Sequence, residues 1–325
     1  MVFARSIILS LRLRREDFLH SLRKNTHASL VFFRSFVTIF AQISLTMTNN
    51  RFAHTALVLE GGGMRGVFTS GVLDWMIDHH ITFPYLVGVS AGSSNALSFA
   101  SHQRGRAKYT FADLQAERHY LGVRNLLRHR SIMDMDLLYH ELPETLWPYD
   151  YAAYHANPMR VESVATDCLT GEAVYLEEKE SPERIIDIVR ASSALPFACP
   201  IAHVDGRAML DGGIADSIPL ARAFEQGYEH AVVVLTRQRG YRKEEKPPHI
   251  PPFIYSRYPK LREALRTRGA RYNAQLTWVE QLEDEGRITV IRPDHPVKVA
   301  RIETNMDKMN ALYRHGFEMA EKILD

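Results

Sequence analysis

A serine flanked by glycines, in the arrangement Gly88-x-Ser90-x-Gly92, has the residue types and spacing for covalent catalysis. The apolar run at residues 85–89 is typical of a buried parallel strand, and the small residues after Gly92 predict a closely packed helix. Such a strand, sharp turn and helix form the context in which a serine hydroxyl is exposed as a nucleophile. The two glycines are expected to remove side chains that would collide across the turn.

A second glycine-rich stretch, residues 61–66, follows the first apolar strand pattern of the chain. Gly61, Gly63 and Gly66 fit the dinucleotide fingerprint, but that function requires an acidic residue where the next strand ends, and Ser90 stands there instead. In a second interpretation, consecutive glycines let backbone N–H groups turn toward one anionic oxygen, as in an oxyanion hole. A purely structural tight turn also fits.

A third motif, Asp211-Gly212-Gly213, ends a predicted strand that follows a hairpin turn. A serine hydroxyl is a poor nucleophile until a base takes its proton. Asp211 is a candidate for that base if its strand lies beside the strand of Ser90. The serine motif alone arises by accident in roughly one chain in ten of this length, so the other motifs carry much of the interpretation.

Strand and helix patterns alternate along the chain, and residues 56–90 predict a βαβ unit. Further strand patterns lie at residues 160–167, 173–178, 231–235 and 288–291, and helical patterns at residues 182–193, 253–282 and 303–324. Residues 243–252, charged and rich in proline, are predicted to form an exposed loop or linker. Residues 134–150 are aromatic with two prolines, and they either wall a substrate cleft or form an ordinary packed loop.

Together with the block at residues 190–196, these three motifs resemble the patatin-like phospholipase family over roughly residues 53–238. The resemblance implies a three-layer α/β/α fold with a mostly parallel central sheet, a Ser90 nucleophile and an Asp211 base. The oxyanion loop that it implies consists of Gly61, Gly62, Gly63, Met64, Arg65 and Gly66. Gly213 stands where many members have alanine, and this small change is expected to preserve the turn. The C-terminal part resembles that of bacterial members.

The expected activity is that of a serine lipid acyl hydrolase, a phospholipase or esterase of lipid catabolism that forms an acyl-enzyme and needs no cofactor or metal. One alternative is an α/β-hydrolase with a Ser-Asp-His triad, which needs a histidine after Asp211. The available histidines are His230, His249, His295 and His315. The other alternative is a non-catalytic nucleotide- or lipid-binding module. Arg65 would either meet a phosphodiester or pair with a core carboxylate.

Composition sets broad limits on partners and compartment. The 325 residues carry a net charge of only +2, which gives no case for nucleic-acid binding. The 15 histidines are scattered without metal-ligand spacing, and the two cysteines do not make a disulfide framework. We therefore expect a cytoplasmic protein whose partner is a lipid or a small ester, with peripheral membrane contact as an open expectation. The sequence predicts no oligomeric state.

The N-terminal segment differs from the rest of the chain. Residues 1–46 carry a net charge of +5, which leaves −3 for the remainder. Residues 28–45 are apolar but interrupted by Arg34 and Gln42, which suits a membrane-surface helix or an uncleaved targeting segment better than a membrane span. A non-native extension ahead of a start at Met47 also fits. The predicted organisation is a basic extension (1–52), a catalytic domain (53–240) and a C-terminal helical extension packed on it (241–325).

Overall fold

Eight short, apolar strands form one mixed sheet. They are β1 (Thr55–Leu59), β2 (Tyr85–Val89), β3 (Arg160–Asp167), β4 (Ala173–Glu177), β5 (Ala202–Val204), β6 (Arg207–Asp211), β7 (His230–Val234) and β8 (Ile288–Ile291). Hydrogen-bonded neighbours follow one another in the order β5-β6-β3-β2-β1-β7-β8, and β4 also pairs with β3. The pairs β1–β2, β1–β7, β2–β3 and β7–β8 are parallel, whereas β4 and β6 run antiparallel to β3. The central part of the sheet is therefore parallel, as predicted.

The structure is a computed structural model that describes residues 51–123, 125–126 and 130–325. The expectations for residues 1–50, including the surface helix and the start at Met47, lie outside these described residues. Residues 52–325 form one compact unit. None of the helices in the described ranges combines the length and apolar character needed to cross a bilayer.

Helices of varied length connect the strands. They are α1 (Gly66–Asp78), α2 (Ala91–Ala100), α3 (Arg106–Lys108), α4 (Leu114–Arg118), α5 (Tyr151–Ala156), α6 (Pro182–Ser192), α7 (Leu220–Glu225), α8 (Pro259–Asp284) and α9 (Met306–Leu324). The chain also contains two π-helical segments, Tyr109–Asp113 and Leu137–Leu146. Two short 3₁₀ turns lie at Gly63–Arg65 and Gly212–Ile214.

Helices cover both faces of the sheet. In β1, Leu57 and Leu59 lie in an apolar core shared with α1, α2 and α9, whereas Ala56 and Val58 lie in a second core shared with α7 and α8. Successive side chains of a strand point to opposite faces, so a strand that is apolar on both faces must be buried between two layers. The three-layer α/β/α fold expected from the sequence is confirmed.

The two C-terminal helices start later than their sequence patterns predict. The pattern at residues 253–282 becomes α8 from Pro259 onward, because proline is favoured in the first turn and disfavours helix in the residue before it. The pattern at residues 303–324 becomes α9 from Met306, because the Asn305 side chain accepts a hydrogen bond from the Lys308 N–H and caps the helix. β8 lies between these helices in sequence and adds an edge strand beside β7.

Candidate active site

Ser90 forms a sharp turn between β2 and α2. Its backbone angles, φ 55° and ψ −119°, are unusual for a residue with a side chain, and such strain costs about 1–3 kcal/mol. The Ser90 N–H donates a hydrogen bond to Ser192 Oγ (2.8 Å), and the Ser192 hydroxyl donates to the Val164 carbonyl (2.6 Å). Ser192, at the end of α6, therefore ties the strained turn to β3. Sequence reasoning had assigned Ser192 no role.

Gly88 and Gly92 allow the close approaches that the turn requires. A Cβ on Gly88 would lie 2.7 Å from the Gly92 carbonyl atoms. A Cβ on Gly92 would lie 2.5 Å from the Leu59 carbonyl oxygen at the end of β1. Both distances are shorter than van der Waals contact, so a side chain at either position would collide with backbone atoms.

The register of β3 brings Asp211 next to the serine turn. Val89, the last residue of β2, pairs with Val164, and Asp211, the last residue of β6, pairs with Ala165. Because β4 occupies the other edge of β3, β2 and β6 share one edge and meet end to end. β6 thus pairs with the part of the β3 edge that lies beyond the end of β2. β2 and β6 do not pair with each other, so the strand of Asp211 is not the neighbour of the strand of Ser90 that the sequence analysis required.

Asp211 is held firmly in this position. Its side chain is 3% exposed, and one carboxylate oxygen accepts a hydrogen bond from the Gly213 N–H at 2.8 Å. Its backbone N–H donates to the Ala194 carbonyl (2.8 Å), and its carbonyl accepts from Thr166 Oγ1 (2.9 Å). Ser90 and Asp211 line the same polar cavity of about 350 Å³. Among the described residues, the two side chains share no direct hydrogen bond.

The glycine loop lines this polar cavity beside Ser90. Gly63 has φ 58°, a left-handed conformation that favours glycine. The Met64 N–H donates to the Arg301 carbonyl at 3.1 Å, and the Gly66 N–H donates to carbonyls of the preceding turn. Those two amides are therefore occupied, which leaves the consecutive glycines 61–63 as the main candidates for oxyanion donors.

A buried amide connects the glycine loop to the serine turn. Asn95, on α2, is fully buried, and its Nδ2 donates to the carbonyls of Gly66 (3.1 Å) and Ala91 (2.8 Å). The Ser70 hydroxyl, on α1, donates to Asn95 Oδ1 at 2.8 Å. These bonds fix α1 and α2 relative to each other. The only sequence signal was a polar residue inside a small-residue helix.

A second, apolar cleft also opens at Ser90. The π segment Leu137–Leu146 supplies several of its walls, so the aromatic stretch at residues 134–150 walls a cleft, one of the two structures considered for it. The cleft is lined mainly by apolar and aromatic side chains, including Met64, Leu97, Phe111, Tyr120, Leu121, Leu138, Tyr139, Leu142, Leu195 and Ile302.

Four cationic side chains line the polar cavity: Arg65, Lys243, Arg268 and Arg301. Among the described residues, none of them forms an ion pair with a carboxylate. Arg65 is only 6% exposed, and its Nε has no hydrogen-bond partner. Of the two roles considered for Arg65, pairing with a core carboxylate is therefore not observed. The other three cations follow no sequence motif and were not anticipated.

The histidines required by a triad lie elsewhere. No histidine is present among the described residues that line either cavity at Ser90. His230 begins β7, at the end of the strand remote from the serine turn. His295 and His315 lie together with Asp294, and their ligand atoms are within 4.8 Å of one another, a grouping that could hold a metal ion. Sequence spacing did not reveal this group, because α9 brings His315 back from 20 residues away.

Two family models match the chain. One, described as patatin-like phospholipase, matches residues 57–224, and the other, a domain of unknown function (DUF6363), matches residues 258–325. The protein YjjU of Escherichia coli is 31% identical over 194 residues, which are 56% of this chain and 51% of YjjU. The NTE family protein Rv1063c of Mycobacterium tuberculosis is 27% identical over 190 residues, 56% of this chain and 48% of the relative.

The chain spans about half the length of these curated relatives. Among solved structures, VipD from Legionella pneumophila aligns with 84% of this chain and 67% of its own. Its TM-score is 0.49 at 13% sequence identity.

Proposed function

Because the chain belongs to the patatin-like phospholipase family, we propose that it is a serine lipid acyl hydrolase with Ser90 as nucleophile and Asp211 as general base. The β3 register carries this proposal, since it brings both residues to adjoining positions on one strand edge and into one cavity. The absence of a histidine among the described residues of both cavities supports a dyad over a triad.

In the first step, the Ser90 hydroxyl attacks the ester carbonyl while the Asp211 carboxylate accepts its proton. The strained turn holds the serine oxygen at the junction of the two cavities, so little reorganisation is needed. The Gly213 N–H bond orients the Asp211 carboxylate. The direct Ser90–Asp211 hydrogen bond would form with substrate present, since catalytic hydrogen bonds often tighten only in the complex.

The tetrahedral intermediate carries a negative oxygen that needs nearby donors. Glycines 61–63 line the polar cavity together with Ser90, and they have no side chains that could cover their own amides. α2 begins directly after Ser90, so the positive end of its dipole also faces the reacting centre. When the intermediate collapses, the ester C–O bond breaks and protonated Asp211 returns its proton to the leaving alcohol, which leaves an acyl-enzyme. Asp211 then accepts a proton from water as the water attacks the acyl-enzyme, and it returns that proton to the Ser90 oxygen as the acid is released.

The apolar cleft fits the acyl chain of a lipid ester, because its walls are largely aliphatic and aromatic. Ile302 lines this cleft and is 49% exposed, which suits contact with a lipid surface. We therefore propose a lipid acyl hydrolase of lipid catabolism that contacts membranes peripherally and uses no metal in the reaction.

A fluorophosphonate probe tests the nucleophile. We expect covalent labelling of the wild-type protein, loss of labelling in Ser90→Ala, and normal labelling in Ser256→Ala, which alters an exposed serine. Mass spectrometry should locate the adduct on the peptide that contains Ser90. Unchanged labelling of Ser90→Ala would refute the assignment.

A panel of phospholipids, acylglycerols and p-nitrophenyl esters, with and without chelator, tests the substrate class. Loss of activity with chelator would refute the metal-free reaction.

A further inference from the structure

The polar cavity beside Ser90 has an excess of positive charge. Arg65, Lys243, Arg268 and Arg301 line it, and its two carboxylates are Glu60 and Asp211. Glu60 is engaged by three other donors. It accepts hydrogen bonds from the Thr236 N–H (2.6 Å), Thr236 Oγ1 (3.0 Å) and the Tyr272 hydroxyl (2.6 Å). Asp211 is bound to the Gly213 N–H. Within the described ranges, none of the four basic side chains forms an ion pair with either carboxylate, and the Glu60 charge acts on Arg65, Lys243 and Arg268 only at longer range.

Burying a positive charge without a partner is unfavourable, and it lowers the pKa of a basic side chain. Burial, together with nearby Arg237, lowers the pKa of Arg65 to about 10. Burial and the neighbouring Arg301 lower the pKa of Arg268 to about 10. The pKa of Lys243 falls to about 6 because of burial and the nearby Arg268. This clustering and the unpartnered Nε of Arg65 indicate a site organised for an anion.

Two of the four basic side chains, Arg268 and Lys243, are held by the surrounding structure. Arg268 Nε, on α8, donates to the Gly213 carbonyl, next to the base. The Lys243 loop is anchored twice to α8, because its N–H donates to Asn273 Oδ1 (2.8 Å) and its carbonyl accepts from Asn273 Nδ2 (2.9 Å). The Lys243 ammonium lies 3.3 Å from the centre of the Tyr272 ring. A fixed array of this kind loses little entropy when an anion binds.

Ser90 lies where this cavity meets the apolar cleft, since Ser90, Gly63, Leu195 and Arg301 line both. A substrate carbonyl at Ser90 would thus have its acyl chain on one side and the cations on the other. Because Ser90 itself lines the polar cavity, an anion bound there would lie only a few bonds from the scissile ester.

We propose that this cavity binds a phosphate-type group of the substrate itself, and that Lys243, Arg268 and Arg301 determine specificity for esters carrying that group close to the acyl bond. This proposal rests on the proposed function. Arginine and lysine are the side chains suited to phosphate oxygens. Arg268 and Arg301 lie in residues 258–325, so the C-terminal region acquires a defined role in substrate recognition.

Two substrates with the same acyl chain provide the direct test: 1-oleoylglycerol 3-phosphate and 1-oleoylglycerol, each in uniform detergent micelles. We expect wild type to prefer the phosphate ester. Arg268→Gln and Arg301→Gln should each lower kcat/KM on it by about tenfold or more, the scale of a lost charge-assisted hydrogen bond. Both variants should lose less activity on p-nitrophenyl butyrate, which carries no phosphate, than on the phosphate ester. Arg266→Gln, an exposed arginine on α8, is the matched control and should behave as wild type.

Inorganic sulfate provides a second test that does not require lipid. Sulfate should compete with p-nitrophenyl butyrate, and its binding should weaken in Arg268→Gln and Lys243→Gln. Its affinity should fall between pH 5 and pH 8, because Lys243, with a pKa of about 6, loses the proton that favours the anion. The charged groups facing Lys243 are Arg65, Arg268, Arg301 and Glu60, with Asp211 in the same cavity.

The outcomes separate the two proposals. Calorimetry that shows sulfate binding to the wild type and not to the variants would support the anion site, whether or not any ester is hydrolysed. Absence of ester hydrolysis would refute only the proposed hydrolase activity. Equal or better turnover of 1-oleoylglycerol, or equal losses on both lipids in the variants, would overturn the phosphate site while Ser90 labelling stands. Sulfate that activates hydrolysis without competing would also overturn it, because the anion would then not be part of the substrate.

Discussion

The two cavities that meet at Ser90 differ in how their walls are distributed along the chain. The apolar cleft is lined mostly by residues between 63 and 195, in the region of the serine motif. The polar cavity combines motif residues with Lys243, Arg268 and Arg301, which come from the last third of the sequence. The proposed reacting groups are thus encoded locally, whereas the charge around them comes from distant segments. The following experiments probe this division between reaction and recognition.

The largest effect is expected for the base. Asp211→Asn should lower kcat on p-nitrophenyl butyrate by about 10²-fold or more, because an amide cannot accept the serine proton. Single alanine replacements at four histidines should each retain most of the activity: His230, His249, His295 and His315. A histidine variant as inactive as Asp211→Asn would instead favour a triad. Steady-state kinetics on folded variants, checked by circular dichroism, decides between them.

The serine turn should tolerate no added side-chain atom at Gly92. Gly92→Ala should lower the free energy of unfolding by about 1–3 kcal/mol, because its Cβ would lie 2.5 Å from the Leu59 carbonyl oxygen. Gly206→Asn is the control: nothing lies near that hairpin position, and asparagine tolerates its positive φ. Urea denaturation followed by fluorescence measures both. Equal stability of Gly92→Ala and wild type would show that the turn relaxes more easily than its geometry indicates.

The cleft should determine which acyl chains are accepted. Leu138, half-buried on the π segment, lines it, and Leu138→Trp would fill part of the space. We expect the ratio of kcat/KM for palmitoyl to butyryl p-nitrophenyl ester to fall about tenfold, in line with the energy of one or two methylenes in an apolar pocket. Leu169→Trp, at a site 69% exposed, is the control. An unchanged ratio would place the acyl chain outside the cleft.

The smallest effect concerns the helix that carries Ser192. At the start of α6, the Glu178 carboxylate accepts backbone N–H bonds from Glu180, Ser181 and Lys179, and these, with Arg184, lower its pKa to about 2. The resulting stability is present above the usual pKa near 4.5 and is lost as pH falls toward 2.

Glu178→Gln should therefore reduce the free energy of unfolding by about 1 kcal/mol at pH 7, with the difference from wild type vanishing between pH 4.5 and pH 2. Thermal unfolding across this pH range measures it. A difference that grows on acidification would contradict the assigned role of the carboxylate.

Much of the fold and the proposed reacting groups could be predicted from sequence, because the relevant signals are local. β3, for example, matches its pattern at residues 160–167. The meeting of β2 and β6 on one edge of β3 could not be predicted, since it depends on two pairings, Val89 with Val164 and Ala165 with Asp211, that join residues 75 and 46 positions apart. The position of Lys243 and Arg268 in the polar cavity could not be predicted either, because an isolated basic residue on a helix or loop usually faces solvent.

The hydrogen bond from the Met64 N–H to the Arg301 carbonyl has a consequence for anyone who would isolate or transplant the motif region. It joins the glycine loop to a backbone atom near the C-terminus, and no side-chain substitution can replace it. A fragment ending after β7 would keep every motif but lose this restraint, along with the edge strand β8 beside β7. Moving the motif region alone into another protein would therefore transfer the proposed reacting residues without the backbone contacts that position them. Residues 52–325, which form one compact unit, are therefore the segment to keep intact.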